Sequence, residues 1–307
     1  MNDKVPFRGM ISPVPTIWTA DGALDRAGMT AMLDFVITGG ADAVFCCGSA
    51  GEFSQMTEAQ RREVAEFTVR TVAGRIPVLV GIASCATGQA IAFGHHAKSI
   101  GADGVVAVNP YYAILKPENI LRHYRDLAAA VDLPIILYNF PALTGQDLSP
   151  SMILTLARDC PNIVGVKDTT DTARHIRDVI AAIKPVRPDF GVFAGFDEYI
   201  LETLIMGGDG GFPSTLNFAP HLPVGLWRAF RERDGARMVE LQRQICLCPP
   251  MFALEQPFYA VVKEAARMAG VAIPTHVLPP AAPLSADKIL SVAATLKALG
   301  IEVRAGA

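Results

Sequence analysis

A lysine stripped of water becomes a nucleophile for carbonyl carbon, while one left in water is only a surface cation. Lys167 sits in the run Ile163-Val164-Gly165-Val166-Lys167-Asp168-Thr169. As a strand this run would place Ile163, Gly165, Lys167 and Thr169 on one face, because side chains alternate. Turned into a core, Lys167 would have almost no side chain beneath it at Gly165. Burial disfavours the ammonium form, and the free amine condenses with a 2-oxo group to an imine. The other reading is a lysine that runs past the strand end into solvent. This segment alone leaves both open.

Other segments carry chemistry of the same kind. Pro134-Ile135-Ile136-Leu137-Tyr138-Asn139 ends in a phenol that can shuttle protons during carbinolamine formation and carbon–carbon cleavage, or can simply pack at a rim. Gly48-Ser49-Ala50-Gly51-Glu52-Phe53 lets backbone N–H groups approach a ligand, with the Ser49 hydroxyl beside them. No Walker-type lysine follows, so the anion it suits is a carboxylate; a plain tight turn, with Glu52 orienting it, is the alternative. Asn109-Pro110-Tyr111-Tyr112 fits core, rim or interface. Asp197 and Glu198 after Gly195 could bind hydroxyls or open a helix favourably, and Ser214 closes the run from Gly210. His95 and His96 are adjacent on a helical pattern and point apart, as packing or surface residues do. No two carboxylates stand out as a glycosidase pair.

The elements that must position these groups alternate. Short apolar runs fall at 10–18, 43–47, 77–82, 104–109, 134–139, 163–167, 191–194 and 210–214, and several are apolar on both faces, as parallel strands buried on both sides are. Helical patterns fall at 25–38, 57–72, 88–99, 117–131, 149–158, 172–183, 196–206 and 219–233. Asp25 and Thr57 suit N-caps, Gln60 completes a capping box, and Pro150 suits the first turn after Ser149. Eight strand–helix units predict an α/β fold, a (β/α)8 TIM barrel over residues 1–233, whose reactive groups stand at the carboxyl ends of the strands. A doubly wound sheet is the alternative, but no GxGxxG follows the first strand. Residues 234–307 read as a helical appendage with helices at 235–246, 255–269 and 285–299.

With a formal charge of −3 the chain has no basic stripe for phosphates, so nucleic acid is not the expected partner. No apolar run is long enough to span a membrane, and the charged amino-terminal residues 1–9 lack the apolar centre of a signal peptide, so a cytoplasmic location is expected. Of the cysteines Cys46, Cys47, Cys85, Cys160, Cys246 and Cys248, none forms a CxxC pair, and no ligand partner follows Cys246 and Cys248; no metal is expected. Cys46 and Cys47 read as buried thiols.

Taken in order, Gly48-Ser49-Ala50-Gly51-Glu52, Tyr138-Asn139-Phe140-Pro141-Ala142-Leu143-Thr144-Gly145 and Gly165-Val166-Lys167-Asp168-Thr169 resemble the dihydrodipicolinate synthase/N-acetylneuraminate lyase family over essentially the whole chain. The resemblance implies that Lys167 forms the Schiff base, that Tyr138 relays protons, and that Ser49 and the amides around Gly48 and Ala50 hold the substrate carboxylate. Tyr112 resembles the tyrosine that reaches into a neighbouring subunit's site, which implies a dimer doubled into a homotetramer. No cofactor beyond the covalent imine is implied.

Two departures bear on substrate. The synthase branch carries an arginine where this chain has Leu143, and a leucine, read here as buried, supplies no charge-assisted fork for a second carboxylate. Ala50 stands where both synthase and sialic-acid lyase patterns carry a hydroxyl, which argues against a sialate. The combination is most similar to bacterial 2-keto-3-deoxy-sugar-acid aldolases of the 2-keto-3-deoxygluconate type, which release pyruvate and an aldehyde. Thr169, Gly195, Asp197, Glu198 and Ser214 match positions that contact the polyol end there. A Schiff-base dehydratase, a dihydrodipicolinate synthase and a non-catalytic keto-acid-binding barrel are the alternatives.

Overall fold

The computed structural model describes residues 6–304; residues 1–5 of the amino-terminal segment considered above lie outside them. Eight parallel strands close in sequence order into the expected barrel: β1 (Gly9–Pro13), β2 (Ala43–Cys46), β3 (Val78–Gly81), β4 (Gly104–Val108), β5 (Ile135–Asn139), β6 (Ile163–Asp168), β7 (Gly191–Ala194) and β8 (Gly210–Gly211). The helices that alternate with them are α1 (Arg26–Thr38), α2 (Glu58–Val72), α3 (Thr87–Ser99), α4 (Pro117–Ala130), α5 (Pro141–Thr144), α6 (Pro150–Asp159), α7 (Ala173–Ile183), α8 (Ile200–Ile205) and α9 (His221–Glu232). Then come α10 (Gly235–Ile245), α11 (Pro249–Phe252), α12 (Tyr259–Met268) and α13 (Ala286–Ala298).

Local chemistry sets the helix starts. Asp25 accepts from Gly28 N, Thr57 and Gln60 form the full capping box, and Ser149 accepts from Met152 N with Pro150 in the first turn. Where the sequence reading was wrong, backbone hydrogen bonding explains it. The run 10–18 is strand only to Pro13, because beyond it Trp18 bridges Leu24 and His276 instead of a neighbouring strand. The helix read at 196–206 is a 3-10 turn, Asp197–Tyr199, followed by α8. Ser214 does not end a strand: β8 stops at Gly211, and Ser214 opens the 3-10 turn Ser214–Asn217. The short α5 and α11 were not read as helices; each is a single turn with proline in its first positions, too short to show a periodicity.

The described residues pack as two compact units, 6–9 with Leu79–Phe212, and Met10–Val78 with 213–304. In the second, Ile11 and Pro13 of β1 pair with Ala43 and Phe45 of β2, α1 packs on α2, α12 packs on α13, and α9 packs on α10 across the 233/234 boundary drawn from sequence. In the first, Val105, Val106, Ile135, Ile136, Leu137, Val166 and Val192 are buried whichever face they take, which is why these strands read as unbroken apolar runs.

One irregularity matters for the site. Ile135 pairs with Ile163 but Ile136 pairs with Gly165, so Val164 is an extra residue in β6. As a result Tyr138 stands opposite Lys167, and Asn139 opposite Asp168. Gly165 is needed on the far side: a methyl there would lie 2.8 Å from Gly191 O and 3.3 Å from the Phe193 ring. Gly165→Ala is therefore expected to push β6 from β7 and cost about 1–3 kcal/mol in chemical unfolding. Gly88→Ala, at a helical position with nothing within 4 Å, is expected to be neutral or stabilising in the same assay.

Candidate active site

Lys167 is 5 % exposed at the carboxyl end of β6. Its Nζ lies 4.0 Å from the centre of the Tyr138 ring and 5.2 Å from that of Phe212. The lysine is thus walled by aromatic faces and does not run out to solvent. The wall continues: Tyr138 stacks on Phe140 at 5.9 Å, Phe140 meets Phe196 edge-on at 5.9 Å, and Phe193 meets Phe212 edge-on at 5.5 Å.

The residues after Tyr138 and Lys167, Asn139 and Asp168, point the other way and are polar. Asn139 Nδ2 donates to Asp168 Oδ1 at 3.2 Å and to Asp147 Oδ1 at 2.8 Å, and Asn139 Oδ1 accepts from Leu148 N at 2.9 Å. Asp168 is fully buried, and its Oδ2 lies 2.6 Å from His175 Nδ1 on α7. His175 Nε2 lies 3.3 Å from Asp147 Oδ1. Burial alone would lower the pKa of this imidazole, but Asp147 and Asp168 outweigh it and raise the value to about 10. Asp147 and His175 were missed in the sequence, since neither lies at a strand end and no motif marks them.

Thr169, just beyond β6, is buried, and its Oγ1 has no hydrogen-bond partner among the described residues. Gly195 makes room for it: a Cβ there would lie 1.8 Å from that oxygen. Asp197 is buried and Glu198 half-buried in the 3-10 turn after β7. Burial, with Asp197, Asp171 and Glu202 nearby, pushes the Glu198 carboxyl up.

Tyr112 is 97 % exposed with φ 74°, a left-handed conformation unusual for tyrosine. The buried Gln146 braces its loop, donating to Pro110 O at 3.0 Å and Ala113 O at 3.2 Å and accepting from Leu115 N at 2.5 Å. Leu143 is 60 % exposed on α5, so its reading as buried is corrected. The single turn of α5 turns it outward, and what it lacks as a binder of a second carboxylate is charge.

In the other unit, the loop after β2 bends between two non-glycine left-handed residues, Cys47 at φ 54° and Glu52 at φ 64°. Gly48 has no room for a side chain, since a Cβ would lie 2.5 Å from the Phe45 ring. Ser49 is half-buried. Ala50 is buried. Glu52 is fully buried: it pairs with Lys263 Nζ and accepts from Trp18 Nε1 at 3.2 Å and Leu278 N at 2.8 Å. Burial pushes the Glu52 carboxyl up and the Lys263 ammonium down, each resisted by the other. Ser214 is buried in the same unit. His95 is exposed, its ring nitrogen 2.9 Å from Ala130 O, and Cys46 and Cys47 are buried free thiols. Among the described residues no group of three or more His, Cys, Asp or Glu side chains is placed to hold a metal, and no helix is long and apolar enough to cross a membrane.

A closed parallel barrel with a lysine buried among aromatic rings at its carboxyl end is the architecture of a barrel enzyme. The chain belongs to the dihydrodipicolinate synthetase family, whose pattern matches residues 6–299. It is 44 % identical, over 96 % of its length and 98 % of the relative's, to Escherichia coli YjhH, a protein assigned as a probable 2-dehydro-3-deoxy-D-pentonate aldolase. It is 43 % identical, over 92 % of its length and 94 % of the relative's, to Escherichia coli YagE, provisionally assigned as a 2-dehydro-3-deoxy-D-gluconate aldolase. The crystal structure of YagE in complex with pyruvate superposes with a TM-score of 0.95 at 42 % identity, covering 96 % of this chain and 99 % of that one. The dihydrodipicolinate synthase of Thermotoga maritima gives 0.92 at 28 % identity, covering 96 % and 99 %.

The His175 cluster has a pH signature. The folded imidazole holds its proton up to about 10 while the unfolded one releases it near 6.5, so its contribution is complete below pH 6.5 and is lost as pH rises toward 10. Denaturant unfolding at pH 7, 8 and 9 is expected to find His175→Gln less stable than the parent by a margin that shrinks with pH, by at most about 1.4 kcal/mol per pH unit. A constant margin would remove the ionic role.

Proposed function

We propose that this chain is a class I aldolase that cleaves a 2-keto-3-deoxy sugar acid to pyruvate and an aldehyde, reversibly, through an imine on Lys167. The observation that carries the reading is Lys167 itself, buried at the end of β6 against the ring of Tyr138. The relatives named for 2-dehydro-3-deoxy acid aldolases support the substrate class.

In this mechanism Lys167 Nζ adds to the C2 carbonyl, and Tyr138 passes protons as the carbinolamine loses water. The protonated imine draws electrons from C3. A base, Tyr138 with the substrate carboxylate beside it, takes the C4 hydroxyl proton, and the C3–C4 bond breaks to give the aldehyde and an enamine. The enamine takes a proton at C3, and water releases pyruvate and the free lysine. Ser49 with the amides of Gly48 and Ala50 holds the carboxylate. The unpartnered Thr169 Oγ1, with Gly195, Asp197, Glu198 and Ser214, receives the hydroxyl-bearing end. No metal or organic cofactor takes part. Tyr112, exposed and strained, completes the site of a second copy, in a cytoplasmic homotetramer built from dimers.

Borohydride reduction with pyruvate is expected to leave a stable mass increase on Lys167; a Lys167→Ala chain that still labels would sink the assignment. Across C5 and C6 keto-deoxy acids, pyruvate and an aldehyde should appear together. A longer oxo acid without pyruvate would mark a dehydratase, and binding without turnover would mark a keto-acid-binding barrel. Tyr138→Phe keeps the ring wall and removes the proton carrier, so kcat should fall by about 10²–10⁴ while borohydride trapping of pyruvate survives at a slower rate.

A further inference from the structure

The Gly48–Glu52 loop, read above as the carboxylate cradle, is shaped by residues far from it in sequence. Its left-handed end residue Glu52 sends its side chain away from the loop, into a fully buried cluster. There the carboxylate meets Lys263 Nζ from α12, Trp18 Nε1 from beyond β1 and Leu278 N from beyond α12. Lys263 is also fully buried and donates its second bond to His276 O at 2.6 Å, and His276 is bridged to Trp18. A second tie comes from Thr16, whose Oγ1 donates to Gly51 O at 2.9 Å. Within the loop, Gly51 N and Phe53 N both donate to Gly48 O, and Glu52 N to Ser49 O, so the backbone turns as one piece. A left-handed glutamate persists only where its surroundings hold it, and a rotation at Glu52 would turn the peptides that precede it.

We propose that Lys263 is a positioning residue for substrate binding: by holding Glu52, it fixes the orientation in which the buried Ala50 N–H and the Ser49 hydroxyl meet a substrate carboxylate. The carboxy-terminal helix α12 thereby sets the affinity of the loop for the anionic end of a 2-oxo acid, without touching it. The inference rests on the reading of this loop as the carboxylate cradle.

The test compares pyruvate with methyl pyruvate, which offers the same ketone without the charge. Cyanoborohydride trapping on Lys167, followed by mass spectrometry of the intact chain, gives the half-saturating concentration of each. In the parent chain pyruvate should saturate at a lower concentration than methyl pyruvate. Lys263→Met should raise the pyruvate value about tenfold or more, the loss of one well-aimed charge-assisted bond, and leave the methyl pyruvate value and the maximal trapping rate within about threefold. If Lys263→Met does not fold, as judged by circular dichroism, Glu52→Gln carries the test. Its amide keeps the size of the side chain and one acceptor oxygen, for Trp18 Nε1 or for Leu278 N but not for both, and loses the charge that holds Lys263; it should move pyruvate alone in the same direction. An equal shift for both ketones, a fall in the maximal rate alone, or no shift in a folded variant overturns the proposal. Ser49→Ala separates the two levels. If it leaves the discrimination between the ketones intact, the cradle reading has failed; if it narrows the discrimination and Lys263→Met does not, only the role of Lys263 has failed.

Discussion

Asp168 is a carboxylate with no exposed surface, and its two oxygens are divided between Asn139 on the neighbouring strand and His175 on the covering helix. A buried carboxylate is tolerated only when its hydrogen bonds are met, and removal of one partner of such a pair typically costs about 3–5 kcal/mol. That penalty protects a register. The β5–β6 ladder has one extra residue, Val164, and a slip by one position would turn Lys167 out of the barrel and Val166 in. With Asn139 bonded to Asp168, Tyr138 cannot leave its place opposite Lys167 without unpairing buried polar groups.

The loop after β2 uses the same device. On the two strands the residue after each side chain of the lysine wall is the polar anchor, Asn139 after Tyr138 and Asp168 after Lys167, and in the loop Glu52 turns into a buried polar cluster. Alternation along a strand makes this economical, since the inward face is free for chemistry while the outward face carries the bracing. The anchors differ in kind. His175 lies between two carboxylates that raise its pKa and shares a margin with solvent, whereas Lys263 and Glu52 are sealed. The first is tuned by pH; the second holds only while its burial is complete.

The sequence made the candidate residues at the strand ends legible and left the anchors behind them hidden. Lys167, Tyr138 and the glycine-bounded loop announce themselves because a lysine or tyrosine that ends an apolar run is chemically odd, and the barrel count follows from alternation. Glu52 could be read as orienting its loop, but its partner Lys263 lies in a helix with no motif around it. His175 and Asp147 join the site only through the packing of α7 and the turn after α5, so their roles arise from tertiary proximity that no local pattern encodes. Leu143 was misplaced for a related reason: a single helical turn carries too few residues to reveal which side faces out.

The two ends of the site are built to different tolerances. The end with the lysine rests on full strands and buried anchors. The residues proposed for the hydroxyl-bearing end lie on short 3-10 turns, Asp197–Tyr199 and Ser214–Asn217, and on Thr169, whose position depends on the missing side chain of Gly195. Changing one of these residues leaves the register of β5 and β6 untouched. The strands that carry Lys167 and Tyr138 are thus independent of the turns that would set the choice of acid, and the two relatives at 44 % and 43 % identity to this chain are named for acids of different chain length, a pentonate and a gluconate.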